Sequence, residues 1–387
     1  MKHPYSLAVF TSMRSEYGLL KPLIKLLFSD ANFKPLLLVG GGHLSHDFGY
    51  TINEIKADGF EIFREFPFLK SKESSNFLGE SLAQLQMQMS SFLKEQKPDL
   101  LLFLGDRIEL LPVATSALIS SVPMAHISGG ETTEGAIDNQ IRHALTKLSH
   151  IHFPSTETYK KNLLQMGEED WRICVSGEPG LDDVKSLSYI HKQELFDLLQ
   201  IPTNKKVICT TFHPETIDNK ITPSFLKNLF SQMLTDKNLF FLTTASSFDS
   251  GGPEINEFFE NLARKFPEQV SFIHSLGKLR YYSLLKYADL MLGNSSSGLV
   301  EAQSFNLPVL NIGKRQKGRL ANLNVCSVDS NYEEIQKSFN YTLSQEFKDQ
   351  FWNKPNIYGD GNASSRIVNF IKSLDKQTLI QKKDVFQ

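Results

Sequence analysis

The chain has 387 residues, of which 41% are hydrophobic and 22% are charged, and its formal net charge is −2 at pH 7. This composition is typical of a globular protein, and the absence of a long basic run argues against a nucleic-acid partner. No apolar run is long enough to span a bilayer or to serve as a signal peptide. The three cysteines fit neither a metal nor a disulfide spacing, so we expect a cytoplasmic protein in a reducing compartment, without a membrane partner.

Short apolar runs alternate with longer amphipathic segments along the chain, which is the pattern of parallel α/β sheets. In the first half the predicted strands are YSLAVFT, KPLLLVG, FEIF, DLLLFLG, PMAHIS, HIHF and RICVS, with helices around residues 17–28 and 81–94. In the second half they are KVICTTF, NLFFLTT, VSFIHS, DLMLGN, PVLNIG and NVCSV.

The length predicts two domains, because a single hydrophobic core rarely grows past roughly 300 residues. The turn-rich segment GEPGLDD, at 177–183, places the boundary. We therefore predict a Rossmann-like catalytic domain over 1–183, a Rossmann-like nucleotide-binding domain over 184–375 and a polar tail over 376–387. Two doubly wound α/β domains facing a cleft form the architecture of glycosyltransferase-B type enzymes.

Charged side chains follow two of the predicted strands, DLLLFLG and PMAHIS, at the point where each strand ends. The carboxyl edge of a parallel sheet is where ligands bind, so this clustering predicts an active site. Pairs four residues apart on a helix are also common on plain surfaces, and that reading stays open for the helical members. The candidates from this half are Asp106, Arg107, Glu131, Asp138, Arg142 and His143.

Four carboxylates, Asp106, Glu131, Glu134 and Asp138, exceed what helix pairing requires. Their mutual repulsion is expected to keep at least one proton bound near neutrality, as general acid/base catalysis needs.

The second half contains a glycine- and serine-rich loop, GNSSSG at 293–298, between an apolar strand and a helix. Such a loop offers backbone N–H groups and hydroxyls to a phosphate, so Asn294, Ser295 and Ser296 are candidate diphosphate ligands. Glu301, about one helical turn further on, is placed to accept hydrogen bonds from ribose hydroxyls. The alternative is that one of the serines only caps the helix.

Further candidates lie at other predicted strand ends. Arg14, in TSMRSEYG, is suited to a phosphate, although an ordinary surface arginine is an equal alternative. His213 in FHPET is a candidate for assisting the leaving group, with a structural histidine as the alternative. The remaining substrate-binding candidates are Asp249, His274, Gly277 and Arg315.

Together the strings GDR, HI-GGE, AID, IRHALTKL, FHPET and GNSSSGLVEA resemble the hydrolysing UDP-N-acetylglucosamine 2-epimerases, nearest to the bacterial sialic- and legionaminic-acid branch. The resemblance implies a reaction without a metal or redox cofactor. A base removes the C2 proton of the sugar as UDP leaves from C1, and water then adds to the resulting glycal with inversion at C2.

By matching position, the resemblance assigns site residues in three groups. Asp106, Glu131 and Asp138 form the acid/base set, and His213 assists departure or rehydration. The nucleotide-binding positions are Arg14, Ser295, Ser296, Glu301 and Arg315.

Two departures from the family pattern bear on the substrate. Ser128 in HISGGE stands where the N-acetylglucosamine-specific members carry a glutamate, so either Glu131 is the base or the site is built differently. Ser247 occupies a place often held by asparagine. Ser128 and the longer TTEG loop favour UDP-N,N′-diacetylbacillosamine, a 2,4-diacetamido-2,4,6-trideoxy sugar nucleotide, as the substrate.

Two alternatives remain for the function: a non-hydrolysing epimerase, which the string IRHALTKL argues against, and a nucleotide-sugar binding module that has lost its chemistry. We also expect a homo-oligomer, either a dimer or a tetramer.

Overall fold

The computed structural model describes residues 4–46, 49–69, 76–134, 137–215, 220–246, 251–376 and 378–382. The chain forms two compact units. The first unit comprises Met1–Glu131, Ile137–Lys185 and Tyr358–Gln387, and the second comprises Thr132–Ala136 and Ser186–Ile357. Within the described residues, no helix is both long enough and apolar enough to cross a membrane.

Each unit contains a parallel sheet of six strands. The strands of the first unit are β1 Tyr5–Thr11, β2 Phe33–Gly40, β3 Ile62–Phe66, β4 Leu100–Leu104, β5 Met124–Ile127 and β6 Ile151–Phe153. Those of the second unit are β7 Lys206–Thr211, β8 Leu239–Thr244, β9 Val270–Ile273, β10 Leu290–Gly293, β11 Val309–Ile312 and β12 Val325–Val328.

Helices precede or follow nearly every strand. Along the chain they are α1 Arg14–Ser29, α2 Ile52–Ala57, α3 Phe77–Gln96, α4 Leu110–Ile119, α5 Asp138–Leu148, α6 Glu157–Gln165, α7 Asp182–Ser186 and α8 Lys192–Leu198. They continue as α9 Pro223–Met233, α10 Gly252–Lys265, α11 Gly277–Tyr287, α12 Ser296–Val300, α13 Tyr332–Thr342, α14 Gln345–Phe351 and α15 Ala363–Ser373.

The two sheets have the same topology, with strand orders β3-β2-β1-β4-β5-β6 and β12-β11-β10-β7-β8-β9. Central strands such as β4 are buried along their whole length, because helices cover both faces of a parallel sheet. The strand order reverses between β1 and β4 in one unit and between β7 and β10 in the other. Ligands bind at such switch points, outside the carboxyl ends of the strands. The predicted fold class of two doubly wound α/β domains is confirmed.

One predicted strand of the first half, RICVS, is not a strand. Arg172 ends a short 3-10 helix, Asp170–Arg172, and only Ile173 pairs with the sheet, through a single bridge to His152. The Arg172 guanidinium is fully buried and donates to the carbonyls of His150 and Leu379. The segment bends because a buried guanidinium must reach those acceptors, and sequence alternation does not reveal that requirement.

The C-terminal segment differs from the predicted domain division. We expected residues up to 375 in the second domain and a loose tail afterwards, whereas residues 358–387 group with the first unit. The apolar face of α15, including Ile367 and Ile371, joins the core formed with α1. The Asp182 carboxylate accepts from the backbone N–H of Ala363, at 2.8 Å, and of Ser364, at 2.6 Å, which caps this helix.

Candidate active site and nucleotide-binding residues

The switch point of the first unit holds a buried cluster of two carboxyl groups and a serine. The Ser12 hydroxyl, just after β1, lies 2.9 Å from Glu16 Oε2 and 2.8 Å from Glu109 Oε1. Arg107, just after β4, donates from Nε to Glu109 Oε1 at 2.6 Å and lies 3.8 Å from Glu16. The carboxyl groups therefore fix the orientation of the Arg107 guanidinium at this edge.

Glu16 is a carboxyl group of this cluster that retains a proton near neutrality. Burial, together with the nearby Glu109, raises the pKa of Glu16 to about 7, although Arg107 and Ser12 oppose the rise. A carboxyl that holds its proton near neutrality was expected here from repulsion among acids. The structure places it at Glu16, which is outside the four carboxylates that the sequence singled out.

Arg142 connects two of the predicted catalytic residues. It lies on α5, is 2% exposed, and donates from Nη2 to the Asp106 carboxylate. Its Nη1 donates to the backbone carbonyl of Glu131 at 3.2 Å. The guanidinium therefore holds Asp106, after β4, and Glu131, after β5, at the same edge of the sheet.

His126, within β5, supports the loop that carries Asp106. Burial lowers the pKa of His126 to about 3, so its imidazole is neutral at physiological pH. Its Nε2 lies 2.7 Å from the Gly105 carbonyl and must donate, because a carbonyl only accepts. His126 Nδ1 lies 3.3 Å from the Thr146 hydroxyl on α5. This histidine positions the site and carries no charge.

The glycine pair before Glu131 lets the loop pack closely against its neighbours. Gly130 has φ +79°, and a Cβ there would lie 2.6 Å from the Tyr159 carbonyl oxygen of α6. Glu131 is buried, and one oxygen of its carboxylate accepts from the Ser155 hydroxyl at 3.3 Å. The Glu131 carboxylate is thus held by a serine rather than left in solvent.

The structure brings Glu178 to Ser128, a pairing that the sequence reading missed. The Ser128 hydroxyl donates to the Glu178 carboxylate, with its oxygens at 3.0 and 3.3 Å, and both side chains are buried. GEPG looked like a linker because its glycines and proline signal a turn. Since 50 positions separate the two residues, no local sequence signal could have revealed the pair.

Asp138 and His143 both lie on α5. Asp138 is the first residue of the helix and is partly exposed. Burial, followed by the Arg142 charge, lowers the pKa of His143. Glu134 belongs to the second unit, where it pairs with Lys317 at 2.9 Å. No three His, Cys, Asp or Glu side chains are grouped as metal ligands within the described ranges.

The switch point of the second unit brings the ends of β7 and β10 into close contact. A Cβ at Gly293, which has φ +139°, would clash with the Thr211 carbonyl, so only glycine fits. The Asn294 side chain accepts from the His213 backbone N–H at 2.7 Å and donates to the His213 carbonyl at 2.9 Å. The Asn294 amide is therefore occupied in holding His213 at this edge.

His213 itself is neutral at physiological pH. Burial, followed by the positive charge of Arg315, lowers the pKa of His213 to about 3. Its Nδ1 lies 3.5 Å from the Ser246 hydroxyl. A neutral imidazole can donate a hydrogen bond to a leaving group or a water molecule, but it carries no positive charge to either.

The serine loop after β10 is organised as a helix cap and a hydroxyl pair. Ser295 caps α12, and its hydroxyl accepts from the Ser297 backbone N–H at 3.4 Å, so the capping alternative is present. The Ser297 hydroxyl accepts from Tyr281 at 2.7 Å. Ser296 is the first residue of α12 and is partly exposed.

Glu301 follows α12 directly and faces the same group of aromatic hydroxyls. Tyr282 donates to Glu301 Oε1 at 3.4 Å, and burial raises the pKa of the Glu301 carboxyl. Arg315 donates from Nη1 to the Asn294 carbonyl at 3.3 Å, which brings it to the end of β10. The structure therefore gathers Asn294, Ser295, Ser296, Glu301 and Arg315 around one strand end.

The other candidates are less closely grouped. Arg14, in the first unit, pairs with the exposed Glu54 at 2.8 Å, a kind of contact worth only ~0–1 kcal/mol. His274, in the second unit, is 74% exposed and lies 3.3 Å from Glu260. Gly277 begins α11 with φ +66°. Asp249 and Ser247 lie outside the described residues.

Comparison with known proteins identifies the family. The profile described as UDP-N-acetylglucosamine 2-epimerase matches residues 26–372. This chain belongs to the UDP-N-acetylglucosamine 2-epimerase family. It is 35% identical, over 97% of each chain, to the GDP/UDP-N,N′-diacetylbacillosamine 2-epimerase (hydrolyzing) of Campylobacter jejuni. It is 32% identical, over 96% of this chain and 97% of the relative, to the UDP-N,N′-diacetylbacillosamine 2-epimerase (hydrolyzing) of Legionella pneumophila.

The epimerase fold is also seen in solved structures. The crystal structure of the Neisseria meningitidis UDP-GlcNAc 2-epimerase bound to UDP-GlcNAc matches this chain with a TM-score of 0.82 and 21% identity. The match covers 96% of this chain and 100% of that one. The family resemblance drawn from the sequence strings is confirmed, and so is the expectation of a UDP-sugar 2-epimerase.

A first prediction concerns Glu301 of this epimerase. We expect Glu301→Ala to weaken UDP binding by ~1–3 kcal/mol, because a ribose hydroxyl loses a charge-assisted hydrogen bond. Isothermal titration calorimetry with UDP measures the change. Glu268→Ala is the matched control, since it removes an exposed carboxylate just before β9. If Glu301→Ala and the control bind UDP equally well, Glu301 lies outside the ribose site.

Proposed function

We propose that this protein is a hydrolysing 2-epimerase that converts UDP-N,N′-diacetylbacillosamine into UDP and the free 2-epimeric, manno-configured sugar. The observation that carries the proposal is that the buried Arg142 guanidinium holds the Asp106 carboxylate and the Glu131 backbone carbonyl at the carboxyl edge of the first sheet. The Campylobacter and Legionella relatives, both named as hydrolysing N,N′-diacetylbacillosamine 2-epimerases, support both the hydrolysing mode and this substrate. The free sugar is a precursor for legionaminic acid, so the protein acts in nonulosonic-acid biosynthesis in the cytoplasm.

The reaction divides the work between two sets of residues. A base removes the C2 proton while the C1–O bond breaks, and the electron pair of the C2–H bond becomes the C1–C2 double bond. Water then adds to C1, and a proton is delivered to the opposite face of C2. We assign the acid/base set to Asp106, Glu131 and Asp138.

Stabilisation of the departing UDP is a large part of the catalysis, because negative charge develops on the diphosphate as the C1–O bond breaks. Ser295 and Ser296 offer hydroxyl and backbone donors, Arg315 offers a positive charge, and Arg14 is a further phosphate ligand. His213 donates a neutral hydrogen bond to the leaving oxygen or to the added water. Its pKa of about 3 favours that role over a charged acid.

The test of this proposal is a side-by-side measurement of two substrates. We expect kcat/KM to be about a hundredfold or more higher for UDP-N,N′-diacetylbacillosamine than for UDP-N-acetylglucosamine. The expected site packs against the C6 methyl and hydrogen-bonds the C4 acetamido group. In such a site the C4 and C6 hydroxyls of UDP-N-acetylglucosamine are left without hydrogen-bond partners. UDP release is followed with a coupled assay, and the free sugar is identified by NMR.

Three other results would each replace the proposal. Equal or faster turnover of UDP-N-acetylglucosamine would assign the protein to sialic-acid rather than legionaminic-acid synthesis. Epimerised product that still carries UDP would indicate a non-hydrolysing enzyme. UDP-sugar binding without UDP release from either substrate would indicate a binding module.

A further inference from the structure

The Ser128–Glu178 pair lies at the carboxyl edge of β5. Ser128 is three positions before Glu131 in the chain. Ser128 directly follows β5, and its backbone N–H donates to the Phe153 carbonyl at the end of β6, at 3.0 Å. The Glu178 carboxylate accepts from the Ser128 hydroxyl through either oxygen, at 3.0 and 3.3 Å. The buried Glu178 carboxylate thus accepts a hydrogen bond from the Ser128 hydroxyl, at the same sheet edge as the proposed acid/base set.

Positive backbone φ angles occur at Ser128 and at Gly177, the residue before Glu178. Ser128 has φ +61°, in the left-handed region that non-glycine residues adopt uncommonly. Gly177 has φ +84°, and a Cβ there would lie 3.1 Å from the Tyr358 carbonyl oxygen. The Glu178 backbone N–H donates to that same carbonyl at 2.8 Å. The C-terminal segment therefore fixes the turn that aims the Glu178 carboxylate at Ser128.

This geometry changes what a serine can do. A serine hydroxyl alone is a poor base, because its oxygen does not retain an extra proton near neutrality. When its own proton points to a carboxylate, the oxygen lone pairs remain free to accept another proton, as in serine–base pairs of other enzymes. Inversion at C2 needs two proton carriers on opposite faces of the sugar. The Asp106, Glu131 and Asp138 set provides one of them.

We propose that Glu178 is a further positioning and proton-accepting residue that acts through Ser128 on the C2 proton. This inference rests on the proposed function. Ser128 Oγ takes the C2 proton as its own proton passes to Glu178, the C2–H electron pair forms the C1–C2 double bond, and UDP leaves with the C1–O pair. Glu178 then loses the proton to solvent, and the acid/base set delivers the new C2 proton from the opposite face.

The decisive variant is Glu178→Gln, which keeps a hydrogen-bond acceptor for Ser128 but cannot take up a proton. We expect kcat to fall about 10²–10⁴-fold, the range for loss of a general base. KM and UDP affinity should stay within about threefold, because ground-state binding is unchanged. A substrate deuterated at C2 should show a larger isotope effect on kcat in the variant, since proton removal then limits turnover. A merely structural residue would not change that isotope effect.

Asp182→Asn is the matched control, because it also converts a carboxylate into an amide and lies four residues after Glu178 in the chain. Asp182 caps α15, and turnover per folded molecule should stay at the wild-type level. Ser128→Ala removes only one hydroxyl and carries the test if Glu178→Gln does not fold. The double variant should lose no more activity than Glu178→Gln alone, because residues that act as a unit are not additive.

The outcomes separate this inference from the proposed function. If the wild type releases UDP and Glu178→Gln retains kcat within about tenfold, or if the two losses add, Glu178 has no part in proton transfer. Glu178 is also excluded from proton transfer if the isotope effect on kcat is the same in Glu178→Gln as in the wild type. If the wild type releases UDP from neither substrate, the proposed function fails and this inference fails with it.

Discussion

Asp106→Asn is expected to lower kcat by about 10²–10⁴-fold while UDP affinity changes little. An amide keeps an oxygen for the Arg142 guanidinium, but it can neither take up nor return a proton. UDP affinity should persist because four of the proposed phosphate and ribose ligands, Ser295, Ser296, Glu301 and Arg315, lie in the second unit, and the substitution leaves Arg14 unchanged. The measurement is UDP release under substrate saturation, with calorimetry for UDP binding.

Asp106→Asn also removes the ion pair with Arg142, so the variant is expected to be less stable than the wild type. Arg142 is 2% exposed, and loss of its charged partner leaves a buried guanidinium, which can destabilise a protein by ~3–5 kcal/mol. Arg142 keeps its bond to the Glu131 carbonyl, so we expect a folded protein with a lower Tm. Turnover is therefore measured well below the Tm.

Asp99→Asn is the matched control for Asp106→Asn. Asp99 lies just before β4, at the opposite end of the strand from Asp106, where its carboxylate accepts from the Ser6 backbone N–H at 2.8 Å. It should retain wild-type kcat. Comparable kcat for Asp106→Asn and wild type would remove Asp106 from the mechanism.

The second large effect is a loss of stability in mild acid, caused by buried neutral histidines in the first unit. Burial is the main cause that lowers the pKa of His43 to about 4, of His126 to about 3 and of His150 to about 4. In the unfolded chain their pKa returns to about 6.5. Below that pH the unfolded state binds protons that the folded state does not, so the free energy of unfolding decreases as the pH falls.

The sign and size of the effect define a measurement. Above about pH 6.5 the histidines contribute no pH dependence. Between pH 6.5 and about 4, each costs about 1.4 kcal/mol per pH unit, or roughly 4 kcal/mol per unit for the three together. Urea titrations at pH 7, 6 and 5 measure this slope. His43→Gln should reduce the slope by about 1.4 kcal/mol per pH unit, since one proton is removed from the linkage.

A carboxylate extends the acid sensitivity to lower pH. Burial alone would raise the pKa of Glu168, but hydrogen bonds from His152, Lys382 and Lys147 reverse this and lower it to about 2. Its contribution to stability is therefore present above about pH 4.5 and is lost as the pH falls towards 2. An unfolding free energy that is constant from pH 7 to 5 would contradict the whole account.

The strand pattern and the catalytic residue types were readable in the sequence because they depend on local periodicity. Apolar runs such as LLLFL predicted buried parallel strands, and polar residues directly after them predicted the functional edge. Strand-to-helix spacing also placed Asp138 and Arg142 on one helix, α5, one turn apart. The family strings then gave the family, which the comparison with known proteins confirmed.

Contacts between distant segments were decided only by the tertiary structure. Two of these contacts are the Asp106–Arg142 ion pair and the Ser128–Glu178 hydrogen bond. The raised pKa of Glu16 likewise depends on groups from a distant segment, Arg107 and Glu109. Which strand ends become neighbours depends on strand order, which periodicity does not encode.

The C-terminal helix, α15, is another element whose packing partner the sequence did not predict, since it packs in the first unit. Its apolar face specifies that α15 is buried, but only the packed core of the first unit specifies where. The sequence by itself thus determined most of the elements and the family. The tertiary structure decided their partners, because burial and charge pairing act through space rather than along the chain.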